Sequence, residues 1–262
     1  MFSGAFLAAA AAAAVAFTTY FPSAEAGIAY PFLKTLDMSG ANYSAYAIGL
    51  TQGSAFMSSI KDALLHDDVV MNQLLPYVQS GNGKSAFDEL KANHQVWFPD
   101  FWSELRGLAD GADVSFELVL LSSFVNELYH TMRPNDSLPL PRFLQCSDVL
   151  LSHAMGHNED ANIRVKTDGY LLSAPDADGM RYYAYTYPGN LPGLAFNWNS
   201  ANAVFPQEVF LSGVGRYWLT RDLLRSTSIA DVLNRTSNLP AAYGVSLNVA
   251  SLKENRVLNL EI

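Results

Sequence analysis

From Ile48 to Leu65 apolar residues recur at helical spacing, with Phe56, Ile60, Ala63 and Leu64 on one face behind Gly49 and Gly53. Phe87–Asn93 and Trp102–Leu108 continue the same period, and Gly107 and Gly111 punctuate the turn Leu108-Ala109-Asp110-Gly111-Ala112. Ser115 is placed to cap a helix over Phe116–His130, with Glu117 in its first turn and Leu118, Leu121, Val125 and Leu128 as its buried stripe. Met132–Pro141, rich in Pro, Asn, Asp and Ser, reads as a linker. Beyond it the period changes. Val149–Met155 is apolar, and Tyr170–Ser173 and Arg181–Tyr187 flank Asp178-Gly179, a hairpin signal. Leu194–Trp198, Ala203–Phe210, Val245–Leu252 and Val257–Ile262 read as further strands. One helix, Tyr217–Leu224, intervenes, and Ser228 caps another through Leu233. Helices first, then mostly antiparallel strands with two more helices, predict an α+β fold. The last strand pattern runs into the chain end, so the expectation is a chain truncated at its C-terminus.

Composition narrows the class. Half of the residues are hydrophobic and 16% are charged, enough for a sizeable core. The net charge of −9 comes with no basic stripe to meet phosphate, which argues against a nucleic-acid partner. Residues 1–26 read as a signal peptide: Phe6–Phe17 is apolar and alanine-rich, and Ser23-Ala24-Glu25-Ala26 resembles a cleavage site. The stretch is short for a membrane span, so none is expected in the mature chain; a buried alanine helix is the alternative reading. N-x-[ST] triplets begin at Asn42, Asn135 and Asn234. The expected destination is the secretory route, extracellular or a lysosome-like compartment.

Cys146 is the single cysteine, so it forms no disulfide within the chain. It is either a small buried hydrophobe or a nucleophile. Its surroundings are polar: Gln145-Cys146-Ser147-Asp148, then Gly156-His157-Asn158-Glu159-Asp160. His153 lies within an apolar run and reads as structural; His157 has polar company. A base can come from elsewhere. If the Gln145–Cys146 bond is cut, Cys146 gains an α-amine of pKa about 7.7–8.0, near that of its own thiol at about 8.5. The upstream linker suits such a cut. If the Cys146 strand turns near His153 and returns, Asp160 falls opposite Cys146. The alternative for 156–160 is a solvated strand end.

These residues resemble the acyl-coenzyme A:6-aminopenicillanic acid acyltransferase family of N-terminal-nucleophile (Ntn) hydrolases, nearest the branch holding β-alanyl-dopamine (carcinine) hydrolases. The resemblance is carried in order along 45–262. It comprises Ile48-Gly49 with Gly53 and Ile60; Leu108-Ala109-Asp110-Gly111-Ala112; Leu120-Leu121 to Asn126-Glu127-Leu128; and Cys146-Ser147 with Gly156–Asp160. It continues with Tyr187-Pro188-Gly189 to Gly193, Phe196, Asn199 and Arg221-Asp222-Leu223-Leu224.

The resemblance implies a four-layer αββα sandwich, with 27–145 as the helical α-chain and 146–262 as the strand-rich β-chain of one domain. It implies self-cleavage between Gln145 and Cys146, with the two chains staying associated. It implies Cys146 as nucleophile, Asp160 as its supporting carboxylate, and His157, Asn158 and Asn199 as substrate or oxyanion candidates. Gln145 stands where many members have glycine. Phe205-Pro206-Gln207-Glu208-Val209 stands where the family carries a second asparagine as oxyanion donor; Asn197 and Asn202 are the nearby substitutes.

The expected activity is cleavage of small N-acyl amines, β-alanyl amides among them, through an acyl-enzyme, with no cofactor and no metal. An N-acyltransferase using a coenzyme A thioester as substrate is the alternative, and a catalytically impaired secreted relative or fragment is the third reading.

Overall fold

The computed structural model describes residues 34–38, 43–132, 147–151, 154–158, 168–176, 178–193, 196–199, 202–203, 213–239, 241–242 and 246–261; within these, only the backbone is described for 130, 147–151, 154–158, 196, 202–203, 246 and 261. The fold is α+β: among the described elements the helices lie mostly before residue 133 and the strands mostly after 146.

The sequence pattern between Ile48 and Leu65 forms two helices rather than one. Helix α1 (Ala45–Ala55) starts where the Ser44 side chain accepts from Ala47 N, and α2 (Met57–Leu65) follows after a break at Phe56, φ −119° and ψ 26°. The break turns the Phe56 ring onto Tyr170, a stacked pair with centroids 3.8 Å apart. A π-helical stretch, Val69–Leu74, runs into a single α turn, Leu75–Tyr77. Helix α3 (Gly81–Trp97) and α4 (Pro99–Ala112) are longer than their apolar spacing suggests; Pro99 at the first position starts α4 without losing a hydrogen bond. The helix expected over Phe116–His130 is also two, α5 (Phe116–Ser123) and α6 (Val125–Met132), broken at Phe124. Ser115 sits at the N-cap but makes no side-chain capping bond. Leu118, Leu121, Val125 and Leu128 are buried as the period predicts.

Helices α1 and α4 pack backbone against backbone. A Cβ added at Gly49 would lie 1.8 Å from the Glu104 carbonyl oxygen, and one at Gly107 would lie 2.1 Å from that of Tyr46. Only glycine allows this approach.

A seven-stranded sheet runs in the order β1-β4-β5-β6-β7-β8-β9, and β2 (Ser147–Leu151) pairs with β3 (Ala154–Asn158) as a separate two-stranded sheet. The hairpin signal at Asp178-Gly179 is realised: β4 (Tyr170–Pro175) and β5 (Arg181–Thr186) are antiparallel, and Gly179 takes φ +76° in the turn. Next come β6 (Phe196–Asn199), β7 (Asn202–Ala203), and the hairpin β8 (Ser246–Ser251) with β9 (Arg256–Glu261). Helices α7 (Arg216–Leu223) and α8 (Ile229–Asn238) lie between; the Ser228 side chain accepts from Asp231 N and caps α8 as expected. Strand β1 (Lys34–Asp37) was not anticipated. It pairs parallel with β4, so the intervening chain is a long crossover.

One face of the sheet alternates into the core: Tyr170, Leu172 and Ala174 on β4, Tyr182, Ala184 and Thr186 on β5, Asn197 and Asn199 on β6. This face meets α1 through Tyr170 and α7 through Tyr182 and Asn199. The signal-peptide reading of residues 1–26 and the linker 133–141 lie outside the described residues.

Candidate active site

The β2–β3 hairpin joins the two polar segments singled out in the sequence. Its register is Ser147 opposite Asn158, Asp148 opposite His157, Val149 opposite Gly156 and Leu151 opposite Ala154. The expected return, centred on His153, would have set Ser147 opposite Glu159. The observed pairing is shifted by one residue, because two residues separate the paired ends, the commonest hairpin length. Gln145, Cys146 and Asp160 lie outside the described residues. His157 and Asn158 are placed by their backbone on β3.

Asn199 is at the end of β6, buried and opposite Tyr182. Its side-chain amide donates to the carbonyls of Leu224 (2.7 Å) and Ser226 (2.9 Å). Both amide hydrogens are thereby engaged in fixing the end of α7 to the sheet. Asn197 likewise donates to the Gly193 carbonyl. Gly193, at φ +120°, lies close to the Arg221 backbone, where a Cβ would come within 3.1 Å of the Leu224 side chain. The loop from Tyr187 to Gly193, a sequence-marked segment, is thus wedged against α7 while Gly189 abuts Leu64 on α2.

The charged centre of the described structure was not foreseen. Arg221 is fully buried, its guanidinium between the rings of Phe101 (4.8 Å) and Tyr182 (4.1 Å). It donates to Glu104 at 3.2 Å and lies 3.5 Å from Asp176. Gln52 donates to the other Glu104 oxygen (3.3 Å) and accepts from the Tyr170 hydroxyl (3.2 Å). Asp176 in turn receives Arg225 through two bonds, 2.6 and 3.0 Å, and Arg225 also pairs with Asp100. Burial raises the Glu104 carboxyl above its ordinary range, with Arg221 pulling it partway back. Burial opposes the charge on Arg221, but its anionic surroundings outweigh that and hold the cation. One sequence signal could have flagged this: Glu104 falls in the apolar stripe of α4, between Phe101, Leu105 and Leu108, where a carboxylate needs a partner.

A second buried pair sits at the start of α7. His94 accepts the Gly215 N–H through Nε2, and Glu127 accepts the Arg216 N–H, both at 2.8 Å. Burial pushes the Glu127 carboxyl up and the His94 imidazole down to about 4. Among the described residues no cluster of His, Cys, Asp and Glu is arranged to hold a metal, and no helix is long and apolar enough to cross a membrane.

Comparison with known proteins bears out the resemblance. Residues 150–261 match the model of the acyl-coenzyme A:6-aminopenicillanic acid acyl-transferase family. The chain is 25% identical over 233 residues to the beta-alanyl-dopamine/carcinine hydrolase of Drosophila melanogaster, a match covering 80% of this chain. It spans about 60% of the length of that relative.

Proposed function

We propose that this protein is a self-processing N-terminal-nucleophile cysteine hydrolase of small N-acyl amines, with β-alanyl amides as the leading substrate class. The observation that carries the reading is the match to that family over 150–261, directly after the Cys146 segment, together with the likeness to a β-alanyl amine hydrolase. The β2–β3 hairpin sets the two polar segments side by side, although its register is one residue off the alignment that would put Asp160 opposite Cys146. Ser147 and Asn158, the neighbours of Cys146 and Glu159, are directly paired. The full architecture in this reading is the four-layer αββα sandwich. The alanine-rich leader supports passage through the secretory route.

In this reading the Gln145–Cys146 bond is first hydrolysed by water, leaving Gln145 as a carboxylate and freeing the α-amine of Cys146. That amine takes the thiol proton, and Sγ attacks the substrate carbonyl. The tetrahedral intermediate collapses to a thioester, and the amine product leaves with the proton. Water, activated by the same amine, then releases the acid and restores the thiol. Asp160 positions the new ammonium; His157 and Asn158 are the candidates for holding substrate. Because both amide hydrogens of Asn199 are engaged by Leu224 and Ser226, its part in this scheme is to hold the β6–α7 junction. Transfer of the acyl group to an amine, from a coenzyme A thioester, uses the same nucleophile, and the family's own description favours keeping it as the second reading.

The proposal requires the cleaved segments to stay together, and the described contacts support that. Glu104–Arg221, Gln52–Tyr170, His94–Gly215 and Glu127–Arg216 each join a residue before the cut to one after it. Intact mass of the purified protein tests the scheme. Two fragments meeting at Gln145/Cys146, absent in Cys146→Ala, together with release of β-alanine from a β-alanyl amide, are expected. An uncut chain that releases no acyl group from amide or thioester would overturn it.

A further inference from the structure

Helix α7 begins at Gly215, a residue with no side chain to cap it, and its N-terminal backbone is held by two other helices. His94 on α3 takes the Gly215 N–H and Glu127 on α6 takes the Arg216 N–H. The His94 ring is fully enclosed, by Phe124 at 4.7 Å, Trp218 at 4.9 Å, Trp97 at 5.7 Å and Phe98 at 6.2 Å between centroids. Its other nitrogen, Nδ1, lies 2.8 Å from the Leu90 carbonyl oxygen. These contacts define one state. Nδ1 must carry the proton to donate to Leu90, and Nε2 must be bare to accept from Gly215.

We propose that His94 is an acid-sensitive latch: neutral, it ties α3 to the start of α7; protonated, it releases it. A proton on Nε2 would point at the Gly215 N–H, so the bond is lost and two donors face each other. It would also place a cation at the positive end of the α7 dipole, buried inside a ring of aromatic side chains.

The charged groups on the surrounding elements do not rescue that cation. On α3, Lys91 pairs with Asp88 and Glu117. On α4, Asp100 and Glu104 are engaged by Arg225 and Arg221. On α6, Glu127 takes the Arg216 N–H through one oxygen and has no hydrogen-bond partner on the other among the described residues, but burial favours its neutral, protonated form, and Arg216 on α7 adds a further positive charge. The balance on the ring is burial, which favours the neutral form, against the Leu90 carbonyl.

What the latch controls follows from what α7 carries. Arg221 and the Leu224 carbonyl held by Asn199 are both at its far end, so a loosened start threatens the charged centre and the β6 junction together. An unfolded histidine titrates near 6.5 and the folded one near 4, so between these values the unfolded chain binds more protons and stability falls on acidification. Between pH 7 and pH 5 that amounts to about a twenty-fold loss in the folding equilibrium constant.

Urea unfolding of the full chain at pH 4–8, wild type against His94→Gln, is the test. Glutamine keeps an uncharged acceptor, so the variant is expected to lose the His94 part of the acid slope, narrowing the pH 7 to pH 5 change by about twenty-fold. Identical slopes in the two proteins would overturn the proposal. Where the variant is too unstable to measure, the His94 ring titration followed by NMR in the folded wild type decides. A midpoint below pH 5 supports the latch and a midpoint near 6.5 refutes it.

Discussion

Replacing Gly107 by alanine sets two physical effects against each other with opposite signs. Gly107 lies inside α4, and in an isolated helix the change would stabilise by about 1 kcal/mol. In the folded protein the new methyl group would lie 2.1 Å from the Tyr46 carbonyl oxygen, 2.8 Å from Leu50 N and 2.9 Å from the Tyr46 carbonyl carbon. Ordinary contact begins at 3.4 Å, and every obstructing atom is backbone, which cannot rotate away. The helices must therefore separate along the interface that also holds the Gln52–Glu104 hydrogen bond. Overpacking of this kind costs about 3 kcal/mol, leaving a net loss of about 2 kcal/mol and a fall in Tm of about 4–8 °C for a chain of this size. Calorimetric or circular-dichroism melting of Gly107→Ala is the assay. A melting temperature equal to or above wild type would show that α1 and α4 are not in backbone contact and would remove the reason for their glycines.

Two further outcomes follow from the buried charges. Arg221→Met should cost about 3–5 kcal/mol in urea unfolding, because it strands Glu104 without its cation and leaves Asp176 to Arg225 alone; adding Glu104→Leu should recover part of that loss, and a double variant worse than the single one would contradict the pairing. Glu127→Gln tests the sign of a raised carboxyl. A group whose folded pKa lies above its unfolded value of 4.5 contributes stability that is complete below 4.5 and lost as pH rises through the folded value. The variant should therefore gain on wild type between acidic and neutral pH, and a wild type whose advantage grows with pH would refute the assignment.

Much of the local structure was legible in the chain. The stripe Leu118, Leu121, Val125, Leu128 is buried, Ser228 caps α8, and Asp178-Gly179 turns β4 into β5. Each depends on residues a few positions apart, and that is the range over which periodicity and capping act. The candidate site was legible as a set of residue types around Cys146, and its family resemblance holds over 150–261. Register was less so. The hairpin beside Cys146 pairs one residue away from the expected alignment, because its turn carries no residue that dictates its length.

By itself the sequence determined the α+β order, the faces of the helices, and a nucleophile candidate at the head of a polar segment. The tertiary structure decided where the helices break and which distant partners the buried charges take. Phe56 interrupts α1 and α2 to stack on Tyr170, a residue on the far side of the proposed cut. Glu104 finds Arg221 and His94 finds the Gly215 backbone only when the sheet and helices have assembled. The physical reason is the range of the forces. Helix and turn preferences are settled within one or two turns of chain, whereas a buried charge is tolerated only beside a partner that packing alone brings to it.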